Sequence, residues 1–325
     1  KKGSFLSLPL SHKPLSRFQG FHLCTSTKSS WEVHKVLENI HPNILALMAA
    51  TFIAVARMFY QSALTRLHPT IITFLVNSIS IPFAALFYWM GGGVERWPVQ
   101  GLVWFVLVGL IGSLFGRYLS FVAQRIVGVA RTAIVMQSVL IWSMGLAVIF
   151  LGEHLSRWIA AGSFLILVGG ILLVSEKGED RKKIPLVYYL IPLFTALCFA
   201  LTFLIRRYGL VWIPSSSLGM SVSNVTGSIV MAGGLWLRSG KGTRFQNWGS
   251  VPIVLLGGIL NSAAALCFWT AIQTGKIVQV VPINRLSVLF VILLSWLFMQ
   301  AEEVITWRVV LGGVLSVAGV FVIVL

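Results

Sequence analysis

Ten apolar runs, each long enough to cross a lipid bilayer, follow one another through most of this sequence. They cover residues 44–64, 70–90, 101–125, 128–151, 156–175, 185–205, 216–237, 250–274, 277–299 and 304–325. A membrane-spanning helix needs about 20 mostly apolar residues, and short connections force neighbouring helices to run antiparallel. The runs therefore predict an all-α integral membrane protein with ten transmembrane helices.

The amino-acid composition is typical of a membrane protein and limits the kinds of molecule that it is expected to bind. The 325 residues are 57% hydrophobic and 10% charged, which excludes an ordinary soluble globular domain. The net charge of +16 comes from a basic tail, short loops and a few helix interiors, so we expect contact with anionic lipid headgroups and no nucleic-acid partner. The three cysteines and six histidines form no disulfide framework and no metal motif. We therefore predict no metal and no cofactor.

Residues 1–43 form a polar, basic tail that we expect to carry little structure. It has no initiator Met and no acidic residue before Glu32. Its composition is typical of an organellar targeting peptide, and the alternative is a fragment or a coding start placed too far upstream. The rest of the chain is predicted to form a first repeat at 44–175, a linker at 176–184 and a second repeat at 185–325.

The second half of the chain repeats the first. With Gly101 opposite Gly249, six of the first eleven aligned positions are identical, and after one inserted residue Glu153 falls opposite Glu302. Each copy contains five apolar runs, and an odd number of spans places the two copies in opposite orientations. Inverted repeats with a binding site at their interface, near the middle of the bilayer, are a transporter design.

Short motifs in both copies resemble a known family. The stretch 151–155, LGEHL, lies between an apolar helix and a glycine-containing one and resembles the closing motif of an EamA repeat, the domain of the drug/metabolite transporter superfamily. Ala123 and Ala271, near the end of the third helix of each copy, fit the same pattern. The second copy also has Pro282 and Glu302. The chain is thus similar to EamA-type transporters over about residues 44–325.

The resemblance implies ten transmembrane helices, a plasma or inner membrane location, both termini in the cytoplasm and alternating-access transport rather than enzymatic activity. Family members carry amino acids, other metabolites, drugs, nucleotide sugars and sugar phosphates, and the family alone does not choose among these. The first copy lacks a proline matching Pro282, and the second has QAEE at 300–303 where the first has Leu-Gly-Glu. Outside the helix interiors, eleven basic residues would lie on each side of the membrane. The positive-inside rule therefore does not predict which side is cytoplasmic.

Charged residues inside the apolar runs are arginines and not acids. All nine acidic residues lie outside helix interiors, whereas Arg57, Arg117 and Arg285 lie within them. Proton relays and sites for cationic drugs need a buried carboxylate or histidine. The guanidinium group of arginine instead donates two parallel hydrogen bonds to a carboxylate or a phosphate. The pattern favours an anionic or zwitterionic substrate. The alternatives are that Arg285 bonds backbone carbonyls freed around Pro282, and that Arg57 and Arg117 snorkel to the surface.

The predicted substrate-binding set combines these arginines with buried amides that would orient the ligand. It consists of Arg285, Gln137, Asn77, Asn224, Asn284, Arg117, Arg57 and Asn261. Gln137 falls opposite Arg285 in the repeat, and hydrogen bonding between helices is the alternative role of each amide. Glu153, Glu302 and Pro282 are predicted to act in gating or in structure, with each glutamate capping the helix that follows it.

The sequence therefore favours a secondary, alternating-access transporter of a small organic metabolite, anionic or zwitterionic, with a central cavity between inverted repeats. One alternative is an exporter of amino acids or of neutral, drug-like compounds. Another, from a different class, is a membrane enzyme or scaffold that acts on lipid-linked substrates. The expected partners are the small-molecule substrate and membrane lipids, and the protein is expected to be a monomer or a homodimer.

Overall fold

The computed structural model describes residues 39–64, 67–91, 93–94, 96–127, 129–175, 185–238, 251–298 and 307–324, and these are mostly helical. The first half contains α1 (Pro42–Leu64), α2 (Pro69–Met90), α3 (Val99–Val127), α4 (Val129–Met136), α5 (Val139–Leu151) and α6 (Arg157–Ser175). The second half contains α7 (Leu190–Trp212), α8 (Ser216–Arg238), α9 (Val251–Thr274), α10 (Ile277–Asn284), α11 (Ser287–Phe298) and α12 (Trp307–Val324). A short 3₁₀ turn, Leu186–Tyr189, leads into α7.

Many of these helices have the length and composition of membrane spans. Within the described residues, seven helical segments are long and apolar enough to cross a bilayer, and three shorter apolar ones cover Arg157–Leu172, Ile277–Val291 and Val310–Val324. Their outer faces expose large apolar side chains such as Ile149 and Phe321, as expected for helices surrounded by lipid. The prediction of an all-helical, multi-pass membrane protein is confirmed.

The fourth apolar run of each half is interrupted, which hydropathy did not predict. Gln137 and Ser138 separate α4 from α5, and Arg285 and Leu286 separate α10 from α11, each through a turn of i→i+3 backbone hydrogen bonds. Pro282 lies within α10, three residues before the break, and its missing N–H weakens the preceding turn of that helix and not the break itself. The first half breaks at the equivalent place without a proline. The single spans predicted at 128–151 and 277–299 are therefore pairs of short helices.

The two halves pack closely against each other through four pairs of helices. α1 lies on α9, α3 on α7, α2 on α8 and α6 on α12. Glycines allow close approach of helix backbones: a Cβ on Gly162 of α6 would lie 2.4 Å from the Gly319 oxygen of α12, and one on Gly109 of α3 would lie 2.3 Å from the Ser223 oxygen of α8, which also packs against α3. Small residues at membrane-helix interfaces allow this approach. The protein interior is therefore built mainly from contacts between the halves.

One helix boundary and one helix geometry differ from the prediction in ways that affect the site. The sixth run was predicted to end at residue 205, but α7 continues to Trp212 and so carries Arg206 and Arg207 within the helix. The third run is a continuous helix whose middle part, Ile111–Tyr118, is π-helical. The extension of α7 adds Arg206 to the arginines within helices, and the π-helical segment contains Arg117, which was predicted to lie within its span.

Candidate functional site

Four arginines lie on membrane-spanning helices, or at a helix break, in four parts of the chain; Arg57 is exposed and the other three are partly buried. Arg57 lies in α1, Arg117 in α3, Arg206 in α7 and Arg285 at the α10–α11 break. α1, which carries Arg57, packs against both α10 and α11, which flank Arg285. The π-helical segment Ile111–Tyr118, which carries Arg117, packs against α7, which carries Arg206. Tyr60 follows Arg57 by one turn on the same face of α1, and it is buried in the same apolar cluster as Phe121 of α3. We call these four residues the arginine cluster.

The arginine cluster has no acidic counter-charge in the described part of the chain. Glu153 is the only acidic residue there, and its two carboxylate oxygens accept hydrogen bonds from the backbone N–H groups of Ile277 (3.1 Å) and Val278 (3.0 Å). Charges in a low-dielectric interior are costly unless they are paired. A bound anion would therefore be stabilised at the cluster.

Arg117 is held by a chain of hydrogen bonds. Its Nη1 donates to Asn77 Oδ1, and Asn77 Nδ2 donates to Ser113 Oγ at 3.2 Å. Arg117 and Ser113 both belong to the π-helical segment of α3, and such segments are frequent at functional sites. Gly227 in α8 leaves the necessary space, because a Cβ there would lie 2.0 Å from Ser113 Oγ. Asn77 is 0% exposed, so its amide positions Arg117 and does not face a cavity.

Arg206 is supported by aromatic rings. Its guanidinium lies over the ring of Trp269, 4.6 Å from the centroid, and 5.7 Å from the Phe203 centroid. Trp269 is itself buried edge-on against Phe105. The sequence-based prediction ended this helix at residue 205 and so placed Arg206 in a loop. Arg206 follows Phe203 by three residues, which puts both on one helix face, and this spacing could have predicted a longer helix.

Arg285 has an unsatisfied guanidinium. Its Nε is buried without a hydrogen-bond partner, as is Oδ1 of the neighbouring Asn284. The carbonyls of Val281 and Pro282 accept the backbone N–H of Arg285, and no hydrogen bond joins its guanidinium to any described residue. The sequence allowed an alternative in which the Arg285 side chain donates hydrogen bonds to the carbonyls around Pro282. The described residues show no such hydrogen bond.

The remaining predicted amides have other surroundings. Gln137 is 1% exposed and packs against α6, where a Cβ on Gly170 would lie 2.0 Å from its Nε2. Both polar atoms of the Gln137 amide lack hydrogen-bond partners. Asn224 donates to the Met220 carbonyl of its own helix at 2.8 Å, and Asn261 is half-buried in α9. The structure thus joins Asn77 to Arg117. The Gln137 amide packs beside Gly170 without a hydrogen bond, and the Asn224 amide bonds the backbone of its own helix.

The predicted gate residues have one clear structural role. Glu153 caps α10, in the other half of the chain, and the N-terminus of α6 is served by Ser156, whose Oγ accepts from Trp158 N at 3.2 Å. Glu153 is therefore a structural cap, and the helix that it caps is α10 and not α6, which follows it in the chain. Pro282 is buried in α10. Glu302 lies outside the described residues.

Other polar features lie apart from the arginine cluster. Arg207 Nη1 donates to the carbonyls of Ile272 (2.6 Å) and Gln273 (2.5 Å) and so caps the end of α9. A surface pocket beside it is lined by Arg207, Gln273 and Thr274 among others. No group of three or more metal-ligating His, Cys, Asp or Glu side chains comes together within the described ranges.

Comparisons with known proteins give a family and a fold. The EamA-like transporter family matches residues 42–175 and 186–325. No curated protein matches the sequence. Among solved structures, 29 chains match. One of them, titled "Crystal structure of protein", covers 87% of this chain and 98% of its own, with a TM-score of 0.71 and 19% identity. At that identity the likeness shows the fold alone.

Proposed function

Because the chain belongs to the EamA-like transporter family, we propose that it carries a small organic anion or zwitterion across a membrane by secondary, alternating-access transport. The family is one of multi-pass membrane transporters in the drug/metabolite transporter superfamily and not of enzymes. The observation that carries the choice of substrate is the arginine cluster, which has no acidic partner in the described part of the chain. A cationic substrate would be repelled there, whereas an anion would be stabilised.

The proposed architecture has ten spans in two inverted repeats of five. Among the described residues, seven long apolar helices and three shorter ones support this number of spans. The packing of α1 on α9 and of α3 on α7 supports a pseudo-two-fold relation, because exchanging the halves turns one contact into the other. We place the termini in the cytoplasm and the protein in the plasma or inner membrane, as the family implies.

The proposed site is built where broken helices meet the arginine cluster. Transporters commonly bind substrates beside interrupted helices near the repeat interface, and Arg285 lies at such an interruption. In the proposal Arg285 and Arg57 attract the anionic group, Arg117 is held in place by Asn77, and the unpaired Asn284 Oδ1 accepts a hydrogen bond from a substrate ammonium or hydroxyl group.

The test is uptake and counterflow in proteoliposomes with labelled anionic, zwitterionic and cationic metabolite pools. We expect saturable uptake of the anionic or zwitterionic pool, reduced about tenfold or more in Arg285→Ala because charge-assisted hydrogen bonds are lost. Arg157→Ala is the matched control, since Arg157 is exposed and lies over Trp158, 5.5 Å from the ring centroid. Uptake of the cationic pool alone, equal in all three proteins, would contradict the proposal and favour a drug-like exporter.

A further inference from the structure

The C-terminal end of α5 is tied to two helices of the other half of the chain. The carbonyl oxygen of Phe150, in the last turn of α5, accepts a hydrogen bond from the Tyr208 hydroxyl of α7 at 2.9 Å. Glu153, just beyond the end of α5, accepts hydrogen bonds from the first N–H groups of α10, those of Ile277 and Val278. α5 also packs against both α7 and α10. Its end is therefore clamped between these two helices.

The Tyr208 side chain is positioned for this contact by the first half of the chain. Its ring stacks on Trp104 of α3, with 5.5 Å between the ring centroids and 28° between the ring planes. The last carbonyls of a helix have no partner within that helix, and the Phe150 carbonyl is one of them because α5 ends at Leu151. The stacked ring thus directs its hydroxyl at an acceptor that α5 itself leaves free.

The N-terminal end of α5 begins at an interruption of the fourth span. Gln137 and Ser138 separate α5 from α4 through a turn of i→i+3 backbone hydrogen bonds. The Gln137 amide and the Ser138 hydroxyl are buried, and neither has a hydrogen-bond partner among the described residues. Hinges in proteins are a few residues at the ends of elements that take up changes in backbone angles. This break is therefore suited to be a hinge about which α5 turns.

Between its two ends α5 is lightly packed. Of its 13 residues, the buried ones are Val139, Leu140, Ser143 and Ala147. A Cβ added at Gly145 would meet no atom of the described residues within 4 Å, and the outer face of the helix carries exposed apolar side chains. Segments with few buried contacts are those that move at low free-energy cost. We therefore expect the hydrogen bonds at its C-terminal end to fix the position of α5.

We propose that α5 is a gate helix that turns about the break at Gln137 and Ser138, and that Tyr208 and Glu153 are the two latches that hold it closed in this structure. Release of both latches lets the C-terminal end of α5 swing away from α7 and α10, which opens a path between the halves at that end of the bundle. Since Arg285 follows the other end of α10, the Glu153 latch also connects the gate to the proposed site. The inference rests on the proposed function, because alternating access requires the halves to separate at one end at a time.

The experiment measures the position of α5 by electron paramagnetic resonance on the full chain in lipid nanodiscs, in a background whose three native cysteines are replaced by alanine. One pair of spin labels joins Ile149, near the latched end of α5, to Val211 of α7, and a second pair joins Ile141, near the hinge, to Val211. All three side chains are exposed. A tilt of α5 by about 15° would move Ile149 by about 4 Å and Ile141 by about 1 Å, given the rise of a helix per residue.

Variants that weaken each latch should shift α5 towards the open position. In Tyr208→Phe and in Glu153→Gln we expect the population with the longer distance at the latched end to rise about fivefold, the effect of losing one hydrogen bond, and the double variant should exceed either alone. Ser80→Ala is the matched control, because it removes the hydrogen bond between Ser80 of α2 and Ser262 of α9 (2.8 Å), which also joins the two halves but lies away from the latches. It should leave both distances unchanged.

The outcomes separate this inference from the proposed function, because the distance measurement needs no substrate. Distances in the double variant equal to those of the wild type would overturn the gate and leave the transporter standing. Equal displacement of Ile141 and Ile149 would overturn the hinge, since α5 would then move as a whole. The same lengthening in Ser80→Ala would overturn the latches, because any lost contact between the halves would then have that effect. If α5 opens in the latch variants but no anionic or zwitterionic pool is transported, the gate stands and the proposed substrate fails.

Discussion

Glu153 and Ile277 are joined by a hydrogen bond although 124 residues separate them. The Glu153 carboxylate accepts from Ile277 N at 3.1 Å and from Val278 N at 3.0 Å, and so caps α10. A negative charge at a helix N-terminus is favoured by the helix dipole. Since Arg285 follows the other end of α10, a residue of the first half orients the helix that presents Arg285 in the second half.

Substitution of Glu153 should reduce stability in a graded way. Glu153→Ala removes both acceptors and should lower the free energy of unfolding by about 1–2 kcal/mol, while Glu153→Gln keeps one oxygen and should lose less. Thermal unfolding of the purified protein in detergent measures the effect. His154→Gln, at the exposed neighbouring position, serves as the control. An alanine variant as stable as the wild type would show that the cap contributes little.

The contact of Glu153 with Ile277 also shows what the sequence could and could not predict. Hydropathy is a local property, so the helices and their membrane character were predictable, as was the family from the motif around Glu153. A cap between residues far apart in the chain depends on how helices pack, which hydropathy does not encode. The break at Gln137 was missed for a related reason, because no proline or glycine marks it.

Candidate site residues could be predicted from the sequence only where a charged or amide side chain interrupts an apolar run. Arg57, Arg117 and Arg285 were found in this way, whereas Arg206 was missed because it lies near the end of α7, where an arginine usually marks the membrane boundary. The link between Asn77 and Arg117 is a contact between different helices. The sequence identified Asn77 and Arg117 as separate candidates, but it could not predict that they contact each other.

Enlarging Gly227 should disturb Arg117 without touching it. A Cβ at Gly227 would lie 2.0 Å from Ser113 Oγ and 2.7 Å from Asn77 Nδ2, so Gly227→Ala must displace the two residues that hold Arg117. We expect the KM for the transported anion to rise severalfold. Gly234→Ala, in the same helix with no atom within 4 Å of the added Cβ, should leave KM unchanged. Equal KM values in both variants would mean that the position of Arg117 does not matter for binding.

Substitution of Asn77 by aspartate tests the role of the Arg117 charge, because the two side chains have nearly the same shape. Asn77→Asp places a carboxylate against the Arg117 guanidinium, and the resulting ion pair competes with a bound anion. We expect anion uptake to fall about tenfold, and Asn77→Ala, which leaves Arg117 charged but less well held, to lose less. Uptake at subsaturating substrate measures both variants. If the aspartate variant transports as well as the wild type, the Arg117 charge takes no part in binding.

Gln137 occupies the position equivalent to Arg285, at the break between α4 and α5, but its amide is buried without a partner. Removing an unsatisfied buried amide should stabilise the protein, so Gln137→Leu should raise the free energy of unfolding by about 1–3 kcal/mol. We expect the same variant to transport more slowly, because an unpaired amide at an interrupted helix is suited to bind substrate or backbone in another state of the transport cycle. Thermal unfolding and proteoliposome uptake, measured together, separate the two effects. A variant that is more stable and transports at the wild-type rate would make Gln137 a packing residue beside Gly170.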